Sequence, residues 1–542
     1  SPIRSNTEVC MTRPNGVIQL YPLVRIALML IVGIVLADAI PFFSNPTTSV
    51  SLLLGTAAIA VLAIRHAHLC SIAILVSTVF LGAWLMSLQI NDRQSIPLNQ
   101  AITYKAIVTD TPTAHGKVLK CNLLVINLAE KTDGHTPFLV RASILKDTLT
   151  NRWQSLTTGS TIAVQSVFNN ESALFSSSKF NFARWMQAHQ IYATTFVYFA
   201  DWQNTQLTND EIHKISTVDK IRLRLLKVRQ SLLDSAWQQR LSTDNQALVA
   251  SIALGDKSNL TPTQRESYNK AGVSHILALS GLHLGIIYSV LSALFTTILY
   301  RVVRRDWAEF IAQTIITITL WGYVFLVGLP PGAVRSALML TLYAFVSLLH
   351  RDRFSANSLA FACIVMLIAN PSTLWDVSFQ LSFIAVLSII LLYPPLFSLY
   401  QPTTRWANLL RPVWAIACVS VAAQVGTMPI IAYYFGRFSC YFLLSNLLIL
   451  PLITLLLYAT LASFLLQGAP LLHNLVLDAM QWLATAVQTL VNGISALPHS
   501  TLDGLQFNLI QTYLAYVFIA FLYAIGLFAR KWFRIRRLIQ QL

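Results

Sequence analysis

The residues whose types and spacing could do chemistry are few and widely separated. Ser280 and His283 stand three apart in LALSGLHLG, so on a helix they share a face. A Ser–His pair suggests a nucleophile and its base, but a hydrolase also needs a carboxylate to orient the imidazole. No Asp or Glu occurs between Glu266 and Asp306. The pair reads instead as a polar stripe that packs against, or lines, a passage through apolar surroundings. Arg335 sits in PPGAVRS, where prolines and a glycine start or break an apolar run. It is either a pore-facing cation or an interfacial arginine reaching for headgroups. Asp376 and Gln380 lie one helical turn apart at the head of another apolar run, and Asn446 and Pro451 interrupt a third.

Other catalytic patterns are missing. Gly255-Asp256-Lys257-Ser258 has the wrong order for a phosphate-cradling P-loop, and HExxH does not occur. His66-Ala67-His68 has no further ligands nearby, and zinc needs three or four, so it reads as loop polarity. The six cysteines contain no CxxC and form neither a disulfide framework nor a zinc cluster. No catalytic residue, metal or cofactor is expected, and no enzymatic activity. Beyond Asp352 the acids are Asp376, Asp478 and Asp503. Cation pores and proton-coupled transporters use carboxylates. A path poor in acids and dotted with Arg, His, Gln and Asn suits a polyanion better.

The elements that must position these residues are mostly apolar helices. Of 542 residues, 55% are hydrophobic and only 11% charged, and the mean hydropathy is +0.59. Ordinary soluble domains are about 25% charged. A soluble single-core enzyme is excluded, and a polytopic α-helical membrane protein of about 11–12 hydrophobic segments is predicted. The net charge of +16 points to an anionic partner or membrane surface. Three segments, near 20–40, 49–64 and 69–90, open the chain. The first lacks a small-residue cleavage site and reads as a retained anchor. Nine more lie near 275–300, 308–329, 332–349, 355–370, 374–393, 411–434, 438–466, 474–497 and 508–529. The segment 474–497, with Asp478, suits an interfacial helix equally well.

Between these sets the chain changes character. Residues 91–210 are polar and balanced in charge, with alternating runs at Ile102–Asp110, Lys117–Ala129, Pro137–Lys146, Thr161–Phe168 and Ile191–Phe199. Period-2 alternation predicts a small β domain of about five strands, compatible with an oligonucleotide-binding (OB-like) barrel. Its aromatics Phe138, Trp153, Phe168, Phe175, Phe180, Phe182 and Trp185 could stack bases, although each alone fits a core position as well. Residues 211–274 follow. In Asp219–Arg240 the apolar Ile221, Leu225, Val228 and Leu232 share one face, with Lys220, Arg222, Arg224, Lys227 and Arg229 around the other. This amphipathic basic helix is expected along a membrane surface or against a barrel, as an outer DNA-binding region. Residues 275–542 form the final domain.

Basic loops set the orientation. Arg65, Arg301/Arg304/Arg305, His350/Arg351/Arg353, Arg405/Arg411 and the Arg530–Arg537 cluster all fall inside if the N-terminus is inside. Three spans then carry the β domain to the periplasm or exterior, where a buried Cys121 is the plain expectation.

GDKSNLTPTQRESYNKAGVSHILALSGLHLGI strongly resembles the signature of the ComEC family of competence, or DNA-internalisation, membrane proteins. PPGAVRSALM, NPSTLWDVSFQLSF and AAQVGTMPIIAYYFGRFSCYFLLSNLLILP follow in the family's order, so the resemblance spans about 245–455. It implies a channel that passes single-stranded DNA across the cytoplasmic (inner) membrane during natural transformation, with an external OB-like domain. It also implies a periplasmic DNA receptor and a cytoplasmic helicase or single-strand-binding protein as partners, beside membrane lipids. By position it assigns the DNA path to Ser280, His283, Arg335, Asp376, Gln380, Gln424 and Asn446. Many family members also carry a metallo-β-lactamase-like domain. No HxHxDH occurs in these 542 residues, so strand degradation is not expected of them; another protein supplies it, or the sequence is a shortened piece. The alternative reading is a membrane enzyme or transporter acting on lipid-linked or extracellular glycans.

Overall fold

The computed structural model describes residues 21–94, 96–128, 137–147, 151–169, 181–236, 240–301, 303–348, 356–400 and 404–541. Among them nine helices are long and apolar enough to cross a membrane, and two shorter apolar helices accompany them. The chain divides into two compact units.

The smaller unit contains the chain up to Ile96 and Phe345–Leu374. Helices α1 (Pro22–Ala39), α2 (Pro46–Leu62) and α3 (Ala67–Gln94) form its body. Asn45 starts α2 by accepting the Thr47 N–H at 3.1 Å, and Pro46 supplies the preset first turn. The apolar helix Ala356–Ala369 packs on α1. Behind it, Ser372 donates to Gln89 Oε1 at 2.8 Å, and Gln89 donates to Asn370 Oδ1 at 3.2 Å. Residues 345–374 thus group with the N-terminal helices, although in sequence they lie within the predicted 275–542 domain.

The larger unit begins with the β domain. Its strands are β1 (Ala101–Val108), β2 (Thr113–His115), β3 (Val118–Leu128), β4 (Phe138–Leu145), β5 (Thr161–Asn169), β6 (Ile191–Val197) and β7 (Trp202–Asn204). The five long strands pair in the order β1-β3-β4-β6-β5, and β5 returns to β1, closing an OB-like barrel. All these pairings are antiparallel except β4 with β6. Alternation explains the core: Phe138, Val140, Ala142 and Ile144 of β4 point inward together. The expected strands correspond closely to the five observed. Phe138 and Phe168 belong to the core rather than to a stacking surface, and Cys121 is buried. Phe175 and Phe180 lie outside the described residues.

Two short helices flank the barrel. Asn181 caps α4 (Phe182–Ala188) by accepting the Arg184 N–H. Glu211 ties α5 (Asn209–Lys214) to the barrel by accepting from Lys105, Asn127 and the Thr208 N–H. The basic helix is α6 (Thr217–Ala236), and α7 (Thr243–Leu254) follows it. Nine of the twelve residues of α7 are buried, so this stretch, expected as connecting chain, is an inner helix.

The helical bundle comprises α8 (Pro262–Lys270), α9 (Gly281–Leu299), α10 (Arg305–Leu326) and the start of α11 (Pro331–Leu348). After α12 (Ala356–Ala369), described above, it resumes with α13 (Val377–Phe397), α14 (Arg405–Leu409), α15 (Arg411–Phe435), α16 (Phe442–Leu465), α17 (Pro470–Ser495) and α18 (Leu509–Gln541). Pro429 and Pro451 lie within α15 and α16, which run on through them. Helix α17 is not among the nine apolar spans. It buries a stripe of Leu477, Met480, Ala484, Val487 and Val491 against its neighbours, while Asp478 pairs with Arg240 at 2.8 Å.

Candidate functional site

Ser280 caps the start of α9. His283 Nδ1 accepts the Ser280 backbone N–H at 3.1 Å, and the Ser280 hydroxyl lies 3.0 Å from the same atom. With Nδ1 acting as an acceptor, the ring proton belongs on Nε2. His283 is 1% exposed and its Nε2 has no partner. The two residues form a reciprocal helix cap that leaves one buried N–H donor, not a nucleophile and base.

Arg335 lies in the first turns of α11. It is 6% exposed, so its guanidinium does not reach out to headgroups as the interfacial alternative requires. Its Nε and Nη1 have no partners, and its Cζ stands 5.8 Å from the Phe383 ring centre on α13. Asp376, also buried, accepts the Ser378 N–H at 3.0 Å and so caps α13. One turn on, Gln380 Oε1 accepts from the Tyr434 hydroxyl of α15 at 3.3 Å. Asn446 of α16 donates to Ser420 Oγ of α15 at 3.2 Å, while its Oδ1 has no partner. Gln424 is half-buried, one turn along α15 from Ser420.

These contacts run in a closed circuit. Helix α9 meets α11 where a Cβ on Gly281 would stand 3.0 Å from Ser336 Oγ. Helix α11 meets α13 through Arg335 and Phe383. Helices α13 and α15 cross so closely that a Cβ on Gly426 would overlap Ser388 Oγ. Asn446 joins α15 to α16, and α16 returns to α9 through Ile449, Ile453 and Ile286. All seven path residues assigned by resemblance lie on these five helices or at their caps, and the five helices contain no Asp or Glu. The structure thus distributes the assigned residues around one circuit rather than gathering them at a point.

The barrel meets this circuit at the Asp376 end. Arg184 of α4 lies over the Trp375 ring at 4.2 Å. Beside it, Trp185 stacks on His189 and Phe182 and lies 5.0 Å from the Arg141 guanidinium. On α6 the sequence-based faces need correction. Arg229 is buried with Leu226, whereas Ile221 and Val228 are exposed at 43% and 48%. The inward stripe is therefore Arg222, Leu226 and Arg229, because α6 presses its arginines against the barrel and the chain after α7. Arg224 and Lys227 remain exposed and Lys220 half-buried.

Some residues of interest were not singled out in the sequence. Ser336, Ser420, Trp375 and Tyr434 matter only as partners across helices, which spacing does not reveal. Phe196, Tyr198 and Phe199 form an exposed aromatic tip at the end of β6. Alternation signalled the first two: with Ile191, Ala193 and Val197 inward, Phe196 and Tyr198 must face out.

Nine candidate spans with a small closed barrel among them in the sequence define a multi-pass membrane protein. A family model described as "Competence protein" matches residues 252–528, just over half the chain. The chain belongs to this competence protein family, which bears out the ComEC resemblance. It is 29% identical over 243 residues to "ComE operon protein 3" of Bacillus subtilis (strain 168), covering 45% of this chain and 29% of that protein. It is 28% identical over 208 residues to an uncharacterised protein of Aquifex aeolicus (strain VF5), covering 38% of this chain and 45% of that one. The matched stretches thus span less than half the length of either relative. No solved structure matches.

Proposed function

We propose that this protein passes a single DNA strand across the cytoplasmic membrane during DNA uptake, along the inner side of the α9–α11–α13–α15–α16 circuit. One observation carries the reading: the circuit holds buried Arg335, His283 and Asn446 atoms without partners, on helices free of carboxylates. A buried polar atom with no partner costs about 1–3 kcal/mol, more when charged. Such atoms persist where something polar and mobile meets them, and the N–H donors of Arg335 and His283 match phosphate oxygens. Contacts of this kind are weak and repeated, which lets a strand move on.

With the barrel outside, the side that the basic loops favour for it, the barrel gathers the strand. Its Phe196, Tyr198 and Phe199 offer stacking faces, and Arg224 and Lys227 offer charge. Pulling falls to a cytoplasmic partner, since the sequence has no P-loop. The glycan-enzyme alternative would use a carboxylate at the membrane face, but Asp376 is engaged in capping α13. The test is entry of labelled DNA into the cytoplasm of cells carrying Arg335→Glu or Arg335→Lys. The charge reversal should abolish entry and the lysine variant retain part of it, with both proteins accumulating in the membrane. Entry at the wild-type level with Arg335→Glu contradicts the proposal.

A further inference from the structure

A second cluster of cations lies outside the circuit, where the barrel, α6 and the chain after α7 meet. Together they line an open cavity of about 300 Å³. Arg222, Arg229, Lys257 and Arg265 line it with Asp110 and Asp256, four positive groups against two negative. The carboxylates already have other partners: Asp110 Oδ1 accepts the Asn122 N–H at 2.7 Å, and Asp256 Oδ1 accepts the Ser258 N–H at 3.0 Å. None of the four cations is ion-paired among the described residues.

Arg229 is 7% exposed. Its Nη2 lies 3.4 Å from Thr111 Oγ1, and its Nε has no partner; Arg222 Nε has none either. Arg265 donates one N–H to the Lys257 backbone carbonyl at 2.6 Å, which anchors its guanidinium at this loop. Gly255, at φ +70°, ends α7 in the left-handed region and lets the chain turn at once into this loop. Burial, set against nearby Asp219 and Asp110 for Arg222 and Asp256 and Asp110 for Arg229, still holds both below the ordinary arginine range. Stability alone does not account for two inward-facing guanidiniums whose Nε–H groups have no partner beside carboxylates that accept from backbone N–H groups. Guanidinium forks facing one space are suited to phosphate oxygens.

We infer that this cavity is a phosphate-binding site, and that it holds a phosphodiester group of the strand as it leaves the barrel for the helical bundle. The second half rests on the proposed function; the first does not. The site would act before the circuit, taking up the strand one phosphate at a time and selecting for the backbone rather than the bases.

The test uses the full chain in lipid nanodiscs made only of zwitterionic lipid. Binding of a fluorescent oligothymidylate, of the same oligomer with uncharged methylphosphonate linkages, and of inorganic phosphate is measured. The variants are Arg229→Gln and, because Lys257 and Arg265 are exposed and safer for folding, the double variant Lys257→Gln/Arg265→Gln. Each should weaken oligothymidylate binding about tenfold or more and flatten its salt dependence. The methylphosphonate oligomer should bind all forms equally. Inorganic phosphate should raise the melting temperature of the wild type but not of the variants.

Undiminished oligothymidylate and phosphate binding in the double variant, with an unchanged melting temperature, overturns the site. Phosphate stabilisation lost in the variants, with oligothymidylate binding unchanged, overturns its assignment to the strand. If anionic phosphatidylglycerol in the nanodisc protects the wild type selectively while the oligomer does not, the occupant is a lipid headgroup and that assignment also falls. None of these results depends on Arg335, so failure here and failure of the channel reading are told apart by the uptake assay.

Discussion

The barrel core and the helical circuit differ in how far their buried polar side chains are paired. Inside the barrel, Tyr104 Oη lies 2.8 Å from Ser166 Oγ, and Thr195 donates to the same oxygen at 2.7 Å. Glu211, near its surface, has partners on β1, β3 and at its own helix cap. In the circuit, Arg335, His283, Ser445 and Asn446 all keep buried atoms without partners. The hydroxyl network stiffens the barrel core, although Asn122 Oδ1 on β3 has no partner. An open one leaves the bundle's interior able to meet a passing polar chain. On the proposed function, fold and transit fall to different regions of one compact unit, and substitutions should separate them.

The largest effect is expected at the open network. Arg335→Glu should lower DNA entry about a hundredfold or more, since a buried charge reversal repels phosphates at short range. Membrane accumulation should stay near normal; a proportional loss of protein would move Arg335 from the path to the scaffold. Helix packing comes next. Gly426→Val forces α13 and α15 apart and should destabilise the bundle by about 1–3 kcal/mol or more, read as faster thermal aggregation of detergent-solubilised protein. An unchanged profile would show the crossing to be loose.

In the barrel, Glu211→Ala should cost about 1.5–3 kcal/mol of local stability, read by amide exchange in β1, β3 and α5 of the full chain. Burial alone would raise the Glu211 carboxyl, but bonds from Thr208, Lys105 and Asn127 outweigh it and hold it down at about 2. Its stabilisation is therefore complete above the ordinary carboxylate range and is lost as pH falls toward 2, so the variant should be less sensitive to acid in that window. Asp110 has the opposite sign. Burial first, set against the Asn122 N–H and nearby Arg141 and Arg222, pushes its carboxyl up to about 6. The folded barrel thus binds a proton more readily than the unfolded chain and loses stability as pH rises from about 4 to 6. Asp110→Asn keeps the acceptor for the Asn122 N–H and should flatten that slope, the smallest of these effects. A steeper slope would mean that another group titrates there.

Much of the barrel was legible in sequence because one face of each strand is dry and the other wet, a contrast that period-2 alternation records directly. Ile102, Tyr104 and Ala106 on β1 face inward as alternation requires. The exposed aromatic tip was equally readable, yet Phe138 and Phe168, two of the expected stacking residues, lie in the core. Helix α6 was legible as a helix but not in its facing. Ile221 and Val228 mark an apolar stripe, but periodicity does not say which side meets protein, and the buried side is the one with Arg222 and Arg229. The circuit was least legible. Helices apolar all round carry no facing signal, and partners such as Ser336, Ser420 and Phe383 are set by close helix crossings that only coordinates reveal. His350, Arg351 and Arg353, used for orientation, lie outside the described residues.

The central claim is that the polar residues of the circuit touch the moving strand. It is tested most directly by cross-linking in a cysteine-free background, with Gln380→Cys and Asn446→Cys carrying a short photo-activatable maleimide while uptake is stalled. Leu455→Cys on α16 and Ile318→Cys on α10, both exposed, serve as outward-facing controls. Cross-links to incoming DNA at 380 and 446 but not at 455 or 318 are the predicted result. Cross-links at none of the four, or equally at all of them while the strand is held in transit, would contradict it.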